Sequence, residues 1–157
     1  MTRKIICALL LAVAAQPLPA ATSGWTMTRG AGDTVAIGQA ARGSWSVRVR
    51  CTGGRQIDMI FVLKPLLGWN ANGTVVLRVD GVSTPVISEG IGEYGLMVHE
   101  TDKFEGISRA FLARLRSAKS LVLEGTAARS PVERRTFPLI GAAASLRAVS
   151  EDCAARR

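Results

Sequence analysis

Histidine is nearly missing from this chain and cysteine is scarce, with one of the first and three of the second. Cys7 lies in an N-terminal apolar run, which leaves Cys51, Cys153 and His99, too few ligands for a structural zinc site. No Cys-x-x-Cys pair occurs, so a thioredoxin-like redox centre is not expected. A Gly-x-Ser-x-Gly elbow is also lacking, and Gly90-Ile91-Gly92 has no strand–helix setting of the kind that cradles a nucleotide. Long runs of like charge are absent, and no aromatic platform is interleaved with the basic residues, which argues against nucleic acid as a partner. There is no internal repeat, and no low-complexity segment beyond a glycine-rich entry. No metal and no cofactor are expected.

The N-terminus decides the compartment. Arg3 and Lys4 precede an uncharged apolar run from Ile5 to Ala15, followed by Pro17 and the small residues Ala20 and Ala21. This is the layout of a secretory signal peptide over residues 1–20, with an apolar part too short for a membrane span. Cys7 follows the bulky Ile6, unlike a lipoprotein acylation site. No second apolar segment approaches membrane length, so no integral membrane insertion is expected after cleavage, and the protein is expected to be periplasmic or secreted. The formal charge of +8 includes Arg3 and Lys4, so the mature chain stays basic without them.

Export gives the two remaining cysteines a meaning, because a pair in an oxidising compartment normally forms a disulfide. Cys51 ends the run Trp45-Ser46-Val47-Arg48-Val49-Arg50-Cys51, whose odd-numbered residues share one strand face. Cys153 follows Ala142, Leu146 and Val149 at i, i+4, i+7 and i+11, one face of a helix. Two apolar faces, each carrying a cysteine, predict one staple between a strand and the last helix.

Between those cysteines the chain alternates. Strands are expected over Trp45–Cys51, Gln56–Leu63, Thr74–Asp80, Ser83–Ser88, Tyr94–Glu100, Ser120–Gly125 and Arg134–Leu139. Turns are expected at Thr52–Arg55, at Asp80-Gly81 and at Glu89–Gly92, with a polar loop around Ser130-Pro131. The run Met59–Leu63 is nearly continuous and fits a strand buried on both sides. A helix is expected from about Lys103 to Ala118, with Phe104, Ile107, Phe111, Leu112 and Leu115 on its apolar stripe and Asp102 as its cap. Before Trp45, residues 21–42 read as a flexible lead-in or as edge strands at Trp25–Thr28 and Thr34–Ile37. Residues 43–157 then form a single α+β domain: a mostly antiparallel, sandwich-like β-sheet with one mid-chain helix, one C-terminal helix and a single disulfide.

The order of Cys51 at a strand end, Val75-Val76-Leu77-Arg78-Val79-Asp80-Gly81, Phe111-Leu112 with Leu115, Thr136-Phe137-Pro138-Leu139-Ile140-Gly141 and a late Cys153 resembles two periplasmic families. One is the invasion-associated locus B family, and the other is the accessory family found with type VI secretion loci. The resemblance spans roughly Trp45 to Cys153. Its motifs are packing motifs, so what it implies is a fold and a compartment.

Candidate chemistry is sparse. His99 stands beside Glu100 and Asp102, as a general base would, yet its alternation with Leu96 and Val98 turns it toward solvent. Asp80, Glu89, Glu93, Glu100, Asp102 and Glu105 fall at turns and helix starts, where capping accounts for them. Arg48, Arg50 and Arg78 alternate against the core faces of their strands and form either a contact surface or a solvated basic face, with Arg42 and Arg55 flanking the first hairpin. Trp69, in an asparagine-glycine loop, is either a further contact residue or a buried loop anchor. The expected role is that of an exported accessory or binding protein meeting a protein or an anionic envelope component, with no catalysis. The alternative is a small cell-envelope hydrolase using His99 or a carboxylate pair.

Overall fold

Apolar residues at every second position organise this chain into strands. The structure, a computed structural model, describes residues 24–30, 33–52, 56–62, 72–91, 95–100, 105–127 and 130–156. The expected signal peptide, Arg55 and Trp69 lie outside them. In chain order the elements are β1 (Trp25–Arg29), β2 (Thr34–Gln39), β3 (Ser46–Cys51), β4 (Ile57–Val62), β5 (Gly73–Val79), β6 (Val82–Ile91) and β7 (Gly95–His99). There follow α1 (Arg109–Ser117), β8 (Ser120–Ala127), β9 (Ser130–Pro138) and α2 (Ala142–Ala155). The strands form one antiparallel nine-stranded sheet in the order β1-β2-β3-β4-β7-β6-β5-β8-β9. The fold is therefore α+β and sandwich-like, with a mid-chain and a C-terminal helix.

One face of the sheet holds the core. Val47, Val49 and Cys51 of β3 and Val75, Leu77 and Val79 of β5 are buried, while Arg48 between them in sequence is exposed. Ile57 to Phe61 of β4 are buried on both faces, as their near-continuous apolar run predicts. The sheet curls until its ends approach. The Trp25 indole N–H of β1 donates to the Pro138 carbonyl of β9 at 2.6 Å, and the Ala41 amide donates to the Thr136 carbonyl at 2.8 Å. Gly38 makes room for this, since a Cβ there would lie 2.5 Å from the Trp25 ring. Such a glycine facing an aromatic partner keeps the strands close and covers the bare backbone.

The inner face is filled by α2, which packs on β1, β2 and β3 and against α1. Ala142, Leu146, Val149 and Cys153 are fully buried on its one stripe. Cys153 is bonded to Cys51, with Cα atoms 5.2 Å apart across a sequence separation of 102. The end of α2 is tied as well: Asp152 accepts from the Thr34 amide at 3.3 Å and from Arg156 at 2.8 Å. Arg156, followed by the Thr34 amide, holds the Asp152 carboxyl below its usual range. Arg156 also reaches Asp33 at 3.4 Å.

Four local expectations are corrected. The mid-chain helix starts at Arg109 rather than near Lys103, because Gly106 takes φ +74° and Ile107 bridges Ile57 of β4, leaving Ser108 as the cap that accepts from the Phe111 amide. Asp102, the expected cap, lies outside the described residues. Glu89-Gly90-Ile91 is not a turn but the end of β6, paired with Met97, Leu96 and Gly95. Ser130-Pro131 is strand, pairing with Ala127 and Thr126. Pro131 fits there because β9 is an edge, where a missing N–H need not break a ladder. The segment Thr34–Ile37 is no edge strand, since β2 lies between β1 and β3 with α2 over it.

Asp80-Gly81 makes the β5–β6 turn expected of it. Both residues have positive φ, 48° and 84°, the backbone of a type I′ hairpin turn. The Asp80 carboxylate accepts from the amides of Ser120 and Lys119 at 2.9 and 3.0 Å, pinning the start of β8. These two amides, that of Ser120 first, hold its carboxyl below the usual range.

Two predictions follow from these ties. Replacing both Cys51 and Cys153 by alanine is expected to lower stability by up to about 5 kcal/mol, the chain-entropy scale for so long a loop; denaturant unfolding of the oxidised wild type against the double variant measures it. Asp80→Asn keeps a residue suited to the turn and removes the charge. A depressed carboxyl stabilises fully above its unfolded value near about 3.9 and loses that contribution as pH falls through the folded value. The stability gap between wild type and Asp80→Asn is therefore expected at pH 7 and should begin to narrow as pH falls below about 3.9; a constant gap would show that the charge is not the cause.

Candidate functional site

Two groups of side chains carry chemistry, and they lie at different places on the sheet. The first surrounds His99. Leu96 and Val98 point into the core, so Met97 and His99 belong to the outer face, yet His99 is only 1% exposed. The expectation that it faces solvent is thus corrected. Gly106, in the segment that leads into Ile107, lies against it. The Gly106 amide donates to His99 Nδ1 at 3.0 Å, the Glu100 amide donates to the Gly106 carbonyl at 3.0 Å, and the Ile107 amide donates to the Ile57 carbonyl at 2.8 Å. Only glycine fits at 106, where a Cβ would stand 2.2 Å from the Ile57 carbonyl oxygen.

That geometry fixes the ring. Nδ1 accepts, so the neutral imidazole carries its proton on Nε2, which faces Glu89 Oε2 at 3.4 Å. A general base needs a bare nitrogen directed at substrate, and the one here is directed at a backbone amide. Glu100 accepts from the Ser108 amide at the start of α1, and lines with Glu105 a small cleft of about 110 Å³. Glu93 and Asp102 lie outside the described residues.

The second group is arginine. Arg48 and Arg50 are on β3 and Arg78 is on β5, with β4, β7 and β6 between, so the three do not meet on one patch. Arg50 faces Asp58 across the strands at 3.5 Å, and Asp58 is a buried carboxylate also held by Gln56 at 3.1 Å. A buried charge needs such a partner, so Arg50 has structural work. Arg78 is bound to Glu124 and donates to the Ser83 hydroxyl at 2.7 Å. Arg48 is exposed and has no ion pair or hydrogen-bond partner among the described residues.

Glu124 leads from Arg78 to a place the sequence did not mark. Its other oxygen lies 3.7 Å from Arg134 of β9. Arg134 is a wall of a cleft of about 300 Å³ lined by Ala41, Arg42, Arg134, Arg135 and Thr136. The cleft sits at the seam, where the β2–β3 connection meets β9 through the Ala41–Thr136 hydrogen bond. Arg135 has the face parity of Phe137, which is core, yet it comes at the rim and stacks over the Trp45 ring at 4.6 Å. Arg42 is exposed and has no ion pair or hydrogen-bond partner among the described residues. A groove of about 380 Å³ beside α2 is larger, but there Arg29 stands with Glu151 and Asp152, and charges of both signs offset one another.

Strand parity alone does not bring Arg134 and Arg135 together, because neighbours on a strand point to opposite faces. The usable signal was Arg135 at a core-parity position, since an arginine there has to find a cover or leave at a rim. No family model, curated protein or solved structure matches the chain.

The His99 tie gives a prediction. His99→Ala is expected to cost about 1 to 3 kcal/mol by leaving the Gly106 amide without its acceptor, and to speed that amide's hydrogen exchange. Asn, whose side-chain oxygen can stand near the Nδ1 position, is expected to restore part of both. Equal losses in His99→Ala and His99→Asn, with unchanged exchange at Gly106, would assign His99 to packing alone.

Proposed function

We propose that this is an exported binding protein of the bacterial periplasm or exterior, an accessory of the kind the two resembled periplasmic families suggest. It acts by contact with an anionic partner rather than by catalysis. The observation that carries this reading is the seam cleft, where three arginines from two chain segments line one depression that no acidic side chain lines among the described residues. Arginine is suited to this work, because its planar fork stays charged and makes paired hydrogen bonds to oxyanions. The disulfide between Cys51 and Cys153 supports the oxidising compartment, since such bonds persist there and are rare in the cytosol. Among the described residues, no helix is long and apolar enough to cross a membrane.

The cleft takes over the contact role first given to Arg48, Arg50 and Arg78. Arg50 and Arg78 are engaged with Asp58 and Glu124, so replacing them would disturb charge pairs as well as any contact. Arg42 is exposed, and Arg134 is exposed with only a solvent-screened ion pair to Glu124 at 3.7 Å, so both are suited to substitution without loss of fold.

The test is quantitative capture from the envelope fraction of the source cell. Arg42→Gln/Arg134→Gln is expected to keep its thermal midpoint and to weaken capture about tenfold, the equivalent of about 1.4 kcal/mol. Wild-type capture is expected to fall with added salt, as contacts between exposed charges do. If Arg48→Gln abolishes capture and the double variant does not, the contact surface is the outer face of β3 and not the seam.

A further inference from the structure

We propose that His99 is a proton-sensitive catch: neutral, it holds Gly106 against the end of β7, and protonated, it lets Gly106 go. The catch acts apart from the seam cleft and does not rest on it. An imidazole nitrogen that accepts from a backbone amide does so in the unprotonated state alone. Here Nδ1 takes the Gly106 N–H at 3.0 Å. A proton on Nδ1 turns that acceptor into a donor, and two N–H groups then face each other. The ring is 1% exposed, so a charge on it is poorly hydrated while Gly106 stays in place.

The surroundings pull the other way. Among the described residues, Glu89 of β6 faces Nε2 at 3.4 Å, and Glu100 and Glu105 line the cleft that Gly106 shares. Asp58 of β4 follows the Met59–Val98 pair on the same outer face, and Arg50 offsets it at 3.5 Å. Carboxylates near an imidazole favour its cation. Burial and the Gly106 bond thus oppose a charge that the glutamates invite, which is the construction of a two-state element biased by a proton.

The moving part is small. The Glu100 amide donates to the Gly106 carbonyl at 3.0 Å, so the His99 bond and this one stand on the same residue. Ile107 is held separately, by a side chain 4% exposed in the core and by its amide on the Ile57 carbonyl at 2.8 Å. Loss of the His99 bond therefore frees Gly106 and Glu100 and leaves Ile107 as the pivot. Gly106 is held at φ +74°, and a released glycine regains more backbone freedom than any other residue. Opening takes up a proton, so acid favours it, and the opening constant rises by at most about tenfold per pH unit.

The experiment measures amide hydrogen exchange in the full oxidised protein from about pH 7.5 to about pH 5.5, the span in which histidine and not carboxylate ordinarily changes charge. Rates are corrected for the pH dependence of chemical exchange. The ring nitrogen resonances are followed in the same samples, and with one histidine in the sequence they have a single origin. The expected result is an unprotonated Nδ1 at the upper pH. As the ring titrates, protection at Gly106 and Glu100 should fall by up to about tenfold per pH unit. Ile107 and Leu77, in the middle of β5 between β6 and β8, should keep theirs. His99→Asn, which offers an oxygen that does not titrate, is expected to abolish the pH dependence at Gly106. Glu100→Gln, which can still accept from the Ser108 amide, is expected to retain it.

Protection at Gly106 that stays flat while the ring titrates overturns the catch, as does a ring that does not titrate in this span or carries its proton on Nδ1 at the upper pH. A slope that survives in His99→Asn, or vanishes in Glu100→Gln, assigns the effect to the carboxylates and overturns it too. The wild-type series decides the matter even if His99→Asn does not fold.

Discussion

A sheet with two edges has two rows of unsatisfied backbone groups, and most of this structure follows from how those edges are handled. Curling brings the ends of β1 and β9 together, so the Trp25 indole can reach the Pro138 carbonyl and Ala41 can reach Thr136. The curl also makes an inner face that must be filled, and α2 is what fills it. The disulfide and the Asp33–Arg156–Asp152 contacts fasten that helix to β3 and β2. The seam is then a place where residues from distant parts of the chain share a rim. Arg42 is there because the β2–β3 connection abuts β9, and Arg135 is there because the core stops at Trp45.

Most of the fold was legible because burial on one face leaves a period of two in the sequence. Val47, Val49 and Cys51 alternate with Arg48 and Arg50, and that alternation alone predicted both the strand and the direction of its cysteine. The Ala142, Leu146, Val149 and Cys153 spacing did the same for α2. Failures came where backbone geometry, and not the apolar pattern, decides. Gly106 at positive φ interrupts the apparent stripe from Phe104 to Leu115, so the helix begins only after the Ser108 cap. Glu89-Gly90 looked like a turn because glycine leaves no side chain by which a strand can be recognised.

The site was less legible for a related reason. Strand parity says which face a side chain takes but not which strands lie side by side. Arg48, Arg50 and Arg78 share a face and are nonetheless separated by β4, β7 and β6. Parity also turned His99 outward correctly, while the covering chain that buries it comes from residues beyond its strand. Contacts of that kind depend on tertiary return, such as Gly106 meeting Ile57, and leave no local period.

The separation of 102 residues between the bonded cysteines has a consequence for damage to the chain. A single cut in any loop between β3 and α2 severs the backbone but leaves both pieces joined through sulfur. The fragments cannot diffuse apart, so core contacts between them re-form at the high effective concentration of a tethered pair. A chain cut once in this way would lose a peptide bond and keep its shape until the disulfide itself is reduced.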